Sequence, residues 1–199
     1  MSLAERLRAG LEAGHRRTPV LLPGDALELE EPGAEAVLAA VLVAVVDRPI
    51  PTVILTLRPE TMRKHPGQIS FPGGRIDPGD DGPVAAALRE AEEEIGLPPA
   101  CVQVIGLADL YRTVTGFEVI PVVGVVPPDL PFTPQPGEVA AVFEAPLDYL
   151  LDPDNHRLRE AEWRGRLRTY YEIEWGERRI WGATAAMIVN LSRRLALAP

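Results

Sequence analysis

The chain has 199 residues, of which 46% are hydrophobic and 25% charged, so it is neither disordered nor fibrous and is long enough for one domain with a sizeable core. Its formal net charge is −9, and such a chain is a poor general binder of nucleic acid, which draws on clustered positive charge. A single cysteine, Cys101, excludes an intrachain disulfide and fits a reducing compartment, the cytoplasm. Residues 1–17 carry two glutamates and no apolar block, so they do not read as a secretory signal. The longest apolar run, Ala36 to Val46, is eleven residues, whereas a membrane span needs about twenty. It reads as a buried strand.

In chain order, Leu3, Leu7 and Leu11 recur at helical spacing and predict a short amphipathic helix. Pro19 to Pro32 reads as loop, and residues 1–33 together as a helical extension of a single domain spanning 1–199. Val37–Val46 and Thr52–Leu57 are rich in β-branched residues and flank Asp47-Arg48-Pro49, which predicts a hairpin. Gln68–Phe71 is a short strand that ends at Pro72-Gly73-Gly74, and a loop follows over Asp77–Gly82.

The next helix has Pro83 at its start and Asp81 or Gly82 as cap. Val84, Leu88, Ala91 and Ile95 form its apolar stripe, and Gly96 and Pro98 stop it. Val102–Leu110 and Phe117–Val126 are predicted strands, Pro127–Gly137 a loop, and Ala145–Leu151 a short helix. Thr169–Trp175 and Arg178–Trp181 flank Gly176-Glu177 as a hairpin, and Thr184–Leu197 closes the chain as a helix. This alternation predicts an α+β fold with a mixed sheet between helices.

The chemistry concentrates on the helix after the Gly-Gly turn. Between Asp77 and Glu94 there are seven acids and one base, Arg89. Glu90, Glu93 and Glu94 share a helix face at spacings of three and four, where like charges repel unless a cation sits among them. Hard carboxylate oxygens suit Mg²⁺ or Mn²⁺, which commonly bridge carboxylates to a substrate's phosphates. A glutamate run on its own is more often a solvated face. Here the acids are read as opposing the apolar stripe, most sit where the helix dipole disfavours them, and a Gly-Gly turn precedes them. Arg63, Lys64 and His65 form the compact basic cluster upstream and suit substrate phosphates. Arg89 can pair with Glu93 at i+4.

Gly74 followed by Arg89-Glu90-Ala91-Glu92-Glu93-Glu94-Ile95-Gly96-Leu97 resembles the Nudix box, G-x5-E-x7-R-E-U-x-E-E-x-G-U with U apolar. The first half departs from it: counted from Gly74 the upstream acid is Asp80, and counted back from Arg89 it is Asp81. Leu55-Thr56-Leu57-Arg58 and Arg63-Lys64-His65-Pro66-Gly67-Gln68-Ile69-Ser70-Phe71-Pro72-Gly73-Gly74 resemble the additional signature of the coenzyme A diphosphatases within that family.

The resemblance implies the Nudix α/β/α sandwich and metal-dependent hydrolysis of coenzyme A, or a derivative, to adenosine 3′,5′-bisphosphate and 4′-phosphopantetheine. Glu90 and Glu94 become the first metal ligands, helped by the Gly74 carbonyl, with Glu93 a further ligand or the general base. Arg89 orients the carboxylates, and Glu138 reaches the site from its loop. Arg58, Arg63, Lys64, His65, Gln68 and Ser70 become substrate contacts. The partner is a small nucleotide, with no nucleic acid and no membrane, and a homodimer is left open. Two other readings remain: a Nudix hydrolase for ADP-ribose or NADH, and a non-catalytic nucleotide-binding module, which would not need the three glutamates.

Overall fold

The computed structural model describes residues 1–16, 22, 36–62, 65–163 and 165–195. The unbroken apolar run forms strand β1 (Val37–Val46), which is covered on both faces. Ala40, Leu42, Ala44 and Val46 join one buried cluster, and Ala39, Val43 and Val45 join another. Burial on both faces explains why this strand shows no polar alternation.

Strand β1 pairs antiparallel with β2 (Thr52–Leu57) at Val45–Val53 and Val46–Thr52, as a hairpin. Its full length runs parallel to β7 (Phe117–Val126). Short strands β3 (Ile69–Ser70) and β4 (Gly73–Arg75) follow β2 and pair with β2 and β1 respectively. With β5 (Gln103–Leu107), β6 (Tyr111–Arg112) and β8 (Ala141–Pro146) they complete an eight-stranded mixed sheet.

Helix α2 (Gly82–Ile95) lies on one face, with Ala86, Ala87, Ala91 and Ile95 in the same buried cluster as Ala40, Leu42, Ala44 and Ile54. Small residues in both elements suit a close approach of helix and sheet. The other face carries α1 (Leu3–His15), α3 (Leu147–Leu151) and α4 (Ala183–Leu195). Leu3, Leu7 and Leu11 are all buried there. Gly14 meets Arg194 of α4, which donates to the Gly14 carbonyl at 2.5 Å and pairs with Asp109. A second, three-stranded antiparallel sheet has the order β11 (Arg178–Trp181), β10 (Arg166–Trp175), β9 (Arg157–Trp163), and Ile173 and Ile180 seat it on the core. The result is the expected α+β arrangement of a mixed sheet between helices. Among the described residues no helix is long and apolar enough to cross a membrane.

Several expectations are corrected. Residues 145–151 are not one helix: Ala145 and Pro146 end β8, because this stretch pairs with β2 along its whole length, and α3 begins at Leu147. The strand expected over Val102–Leu110 stops at Leu107, after a register shift between Val104 and Gly106, and a separate β6 follows. Strands β4 and β9 were not foreseen. Two glycines hid β4, and charged residues hid the exposed β9. The loop expected over Pro19–Pro32 lies outside the described residues apart from Leu22, which bonds to Asn190.

The expected stripe of α2 is present, with Val84 and Leu88 packed against the cluster that holds Ala91 and Ile95, but the covered side is wider. Val84 and Leu88 are half-buried, and the buried residues are Ala86, Ala87, Ala91, Glu94 and Ile95. Glu94, only 6% exposed, therefore lies on the covered side and does not oppose it.

Candidate active site

Gly73 and Gly74 let the chain pass between β1 and the acids of α2. Gly73 has φ 154°, and a Cβ there would stand 2.6 Å from the Val41 Cα. Only glycine fits such a backbone position and approach. The Gly73 N–H donates to Glu94 Oε2 at 3.1 Å. Gly74 lies against the Glu90 carboxylate, whose Cδ would be 2.5 Å from an added Cβ.

Arg89 organises the surrounding acids. Its Nε and Nη2 donate to the two oxygens of Asp80, each at 3.0 Å. Its Nη1 donates to Glu90 Oε1 at 3.0 Å and to Glu93 Oε2 at 2.9 Å, and Nη2 also donates to the Arg75 carbonyl at 3.1 Å. A planar fork with five donors can hold several carboxylates at once, which an ammonium cannot. Of the two upstream acids, Asp80 is the one that Arg89 grips. The Arg89 fork, with help from the Asp77 N–H, holds the Asp80 carboxyl below the usual range. Asp81 occupies the N-cap position of α2, and its side chain makes no capping bond.

Glu94 is the most perturbed acid. Burial pushes its carboxyl up to about 7; the Gly73 N–H opposes that, the charge of Glu90 adds to it, Arg58 opposes it and Glu138 adds to it. Burial also raises Glu90, against the pull of Arg89 and with the charges of Glu93 and Glu138 adding to it. Carboxylates held together against both burial and mutual repulsion suit a cation.

The charge of Glu138 acts on Glu90 and Glu94, and the loop that carries it is tied to the end of α2. Thr133 N–H donates to the Ile95 carbonyl and Gln135 N–H to the Glu94 carbonyl, both at 2.8 Å. Val139 is buried beside α2, and Ala140 N–H donates to Leu57 of β2 at 2.8 Å. Glu138 therefore stands between the end of α2 and the end of β2.

The remaining sequence candidates divide. Arg58 follows β2, and its charge acts on Glu94; its buried Nε has no hydrogen-bond partner among the described residues. Gln68 accepts the Arg58 N–H at 3.0 Å through its carbonyl. The Ser70 hydroxyl is 3.2 Å from that of buried Thr56 and bonds to it. His65 opens the turn that leads to β3, with its carbonyl accepting the Gln68 N–H at 3.3 Å. Arg63 and Lys64 lie outside the described residues. Glu93 is 60% exposed at its side chain and turned to Arg89.

Sequence reasoning passed over the Gly73 N–H and the covered position of Glu94. The second was readable, since Ala87, Ala91 and Glu94 recur at spacings of four and three. Among the described residues no three His, Cys, Asp or Glu side chains form a ready-made metal cage. The carboxylates of Glu90 and Glu94 are nevertheless a donor set that fits Mg²⁺, which is often bound by one or two carboxylates plus substrate phosphates and waters.

The site is a helix rich in acids behind a Gly-Gly turn on one face of a mixed sheet, and comparison with known proteins gives the family. The NUDIX domain model matches residues 36–166. Proteins called uncharacterized Nudix hydrolase NudL are similar over most of the chain. The one from Escherichia coli O7:K1 is 44% identical over 162 residues, covering 81% of this chain and 84% of its own. The one from Cronobacter sakazakii is 45% identical over 161 residues, covering 81% and 84%. Among solved structures, a Nudix hydrolase from M. smegmatis, RenU, superposes with a TM-score of 0.50 and 24% identity over 59% of this chain and 77% of that one, a likeness of fold. The chain belongs to the Nudix hydrolase family, whose members are enzymes that act on nucleoside diphosphate derivatives and generally use divalent metal ions.

Proposed function

We propose that this enzyme hydrolyses the diphosphate bond of coenzyme A or its derivatives, with Mg²⁺ or Mn²⁺ as the metal. The observation that carries this reading is that one stretch meets Glu94 twice: the Gly73 N–H donates to its Oε2 at 3.1 Å, and the charge of Arg58 acts on it. Arg58 belongs to the stretch that resembles the coenzyme A diphosphatase signature, and Glu94 to the Nudix box. We therefore read the substrate signature and the acidic helix as parts of one site.

In this reading Glu90 and Glu94 hold the metal, with the Gly74 carbonyl and Glu93 as further donors. The bound ion would supply charge neutralisation on the diphosphate and a more acidic water. Arg89 keeps Asp80, Glu90 and Glu93 in place. Arg58, Arg63, Lys64, His65, Gln68 and Ser70 bind the substrate. Water attacks one phosphorus, the bond to the bridging oxygen breaks, and a carboxylate takes the proton. Glu93 and Glu138 are the candidates for that proton, and the hold of Arg89 on Glu93 leaves Glu138 the freer acceptor. The products are adenosine 3′,5′-bisphosphate and 4′-phosphopantetheine.

The test is a panel of coenzyme A, dephospho-coenzyme A, ADP-ribose and NADH, each with Mg²⁺ and with Mn²⁺, with products identified by mass. Coenzyme A is expected to give the highest kcat/KM. A clear preference for ADP-ribose or NADH would overturn the substrate assignment, and no metal-dependent turnover of any of them would favour a binding module.

A further inference from the structure

A groove of about 740 Å³ lies beside the start of β3. One wall comes from Leu57, Pro66 and Ile69, and the other from Trp175, Arg178 and Trp181 of the β10–β11 hairpin. The first wall belongs to the coenzyme A signature segment. The second lies beyond residue 166, where the match to the general family domain ends.

Gln68, which lies between two lining residues, Gly67 and Ile69, ties the groove to Arg58. The Gln68 carbonyl accepts from the Arg58 N–H, and its Nε2 would be 3.9 Å from a Cβ on Gly182, at the end of β11.

The lining also has a definite chemistry. Its charged residues are Arg178, Arg179, Glu60 and Glu177, two of each sign, which cancel. Arg179 is engaged by Glu172 and by the Tyr170 hydroxyl. Arg178 has no carboxylate partner among the described residues, and its guanidinium lies 3.7 Å from the centroid of Phe143, which in turn stacks on Trp175. Trp181 is 37% exposed.

A neutral groove with indole walls and a few hydrogen-bonding groups suits an uncharged chain that carries amides, since amides removed from water need partners. It suits a phosphate poorly. Coenzyme A, ADP-ribose and NADH share an adenosine diphosphate unit, to which coenzyme A adds a 3′-phosphate, and they differ most in the other arm. A groove walled partly by residues beyond the general family domain is placed to read the arm that differs.

We propose that this groove holds the pantetheine arm of the substrate, with Trp181 and Trp175 against its chain and Arg178 donating to an amide carbonyl. The inference rests on the coenzyme A reading for the identity of the arm.

The experiment measures binding of 4′-phosphopantetheine and of adenosine 3′,5′-bisphosphate by calorimetry, in the full chain and in Trp181→Ala and Arg178→Ala. Coenzyme A hydrolysis and melting temperature are followed in parallel. Both variants alter groove positions outside the buried core, and unchanged melting confirms folding. The expected result is that each variant weakens 4′-phosphopantetheine about five- to thirtyfold and leaves the bisphosphate within about twofold, corresponding to roughly 1–2 kcal/mol on one half of the substrate only. If the wild type hydrolyses coenzyme A and folded variants bind 4′-phosphopantetheine as tightly as it does, the groove assignment fails and the substrate reading stands. A loss on the bisphosphate alone also overturns the assignment, by giving the groove to the nucleotide half. If the wild type binds 4′-phosphopantetheine through these residues yet does not hydrolyse coenzyme A, the substrate reading fails and the groove stands. If it neither binds the one nor hydrolyses the other, both fall.

Discussion

Gly74 and Glu90 are fitted to each other across the gap between β4 and α2: a methyl group on Gly74 would stand 2.5 Å from the Glu90 carboxyl carbon. Gly74→Ala would therefore displace the end of a flexible side chain and little else. Stability should change slightly, while turnover falls about ten- to hundredfold, or roughly 1.4–2.8 kcal/mol of transition-state stabilisation. Melting temperature and kcat/KM measured on the same preparation check this. An equal fall in both would mean that the glycine serves the fold and not the carboxylate.

Glu94→Gln separates catalysis from folding. The amide oxygen can still accept the Gly73 N–H, and the substitution removes a buried charge that faces Glu90 and Glu138. In metal-free buffer the variant should be at least as stable as the wild type. Its turnover should fall about a hundredfold or more, because the metal supplies several kcal/mol of transition-state stabilisation. Near wild-type turnover in the folded variant would remove Glu94 from the ligand set.

Cation binding should stabilise the folded chain, since the unfolded one has no such cluster. At a concentration about a hundred times the dissociation constant, the gain is roughly 2.7 kcal/mol. Mg²⁺ or Mn²⁺ should then raise the melting temperature by several degrees in the wild type, and the Glu90→Gln/Glu94→Gln double variant should lose that response. Thermal scans with and without metal decide it, and an undiminished response in the double variant would place the cation elsewhere.

The acid response of the fold should depend in part on the pair of Arg48 and Glu144. Arg48 donates to Glu144 at 2.9 Å, and the Thr52 hydroxyl also donates to it. The Arg48 hydrogen bond, against the effect of burial and with help from Thr52, holds the Glu144 carboxyl below its ordinary value of 4.5. A depressed folded pKa adds stability above the unfolded value and loses it as pH falls through the folded one. Between about pH 5 and pH 3 the wild type should lose stability more steeply than Glu144→Gln. Denaturant melts across that range provide the comparison, and parallel curves would show that the pair contributes nothing to the pH dependence.

Local patterns determined much of this protein. The spacing of Leu3, Leu7 and Leu11, the long β-branched runs of β1 and β2, and the stop at Gly96 each depend on neighbouring residues and were readable. So was the pairing of Arg89 with Glu93, because residue types at a spacing of four already fix which side chains can meet on a helix.

Tertiary structure decided what depends on partners distant in sequence. Strand β8 exists because residues 141–146 pair with β2 nearly ninety positions earlier, and its own composition carries no such instruction. Asp80, and not Asp81, accepts hydrogen bonds from Arg89, which counting along the chain could not distinguish. The environment of Glu94 arises from Gly73, Arg58 and Glu138, brought by three separate segments. Burial and charge in a folded chain depend on what packs nearby, and only the assembled sheet and loops bring those groups together.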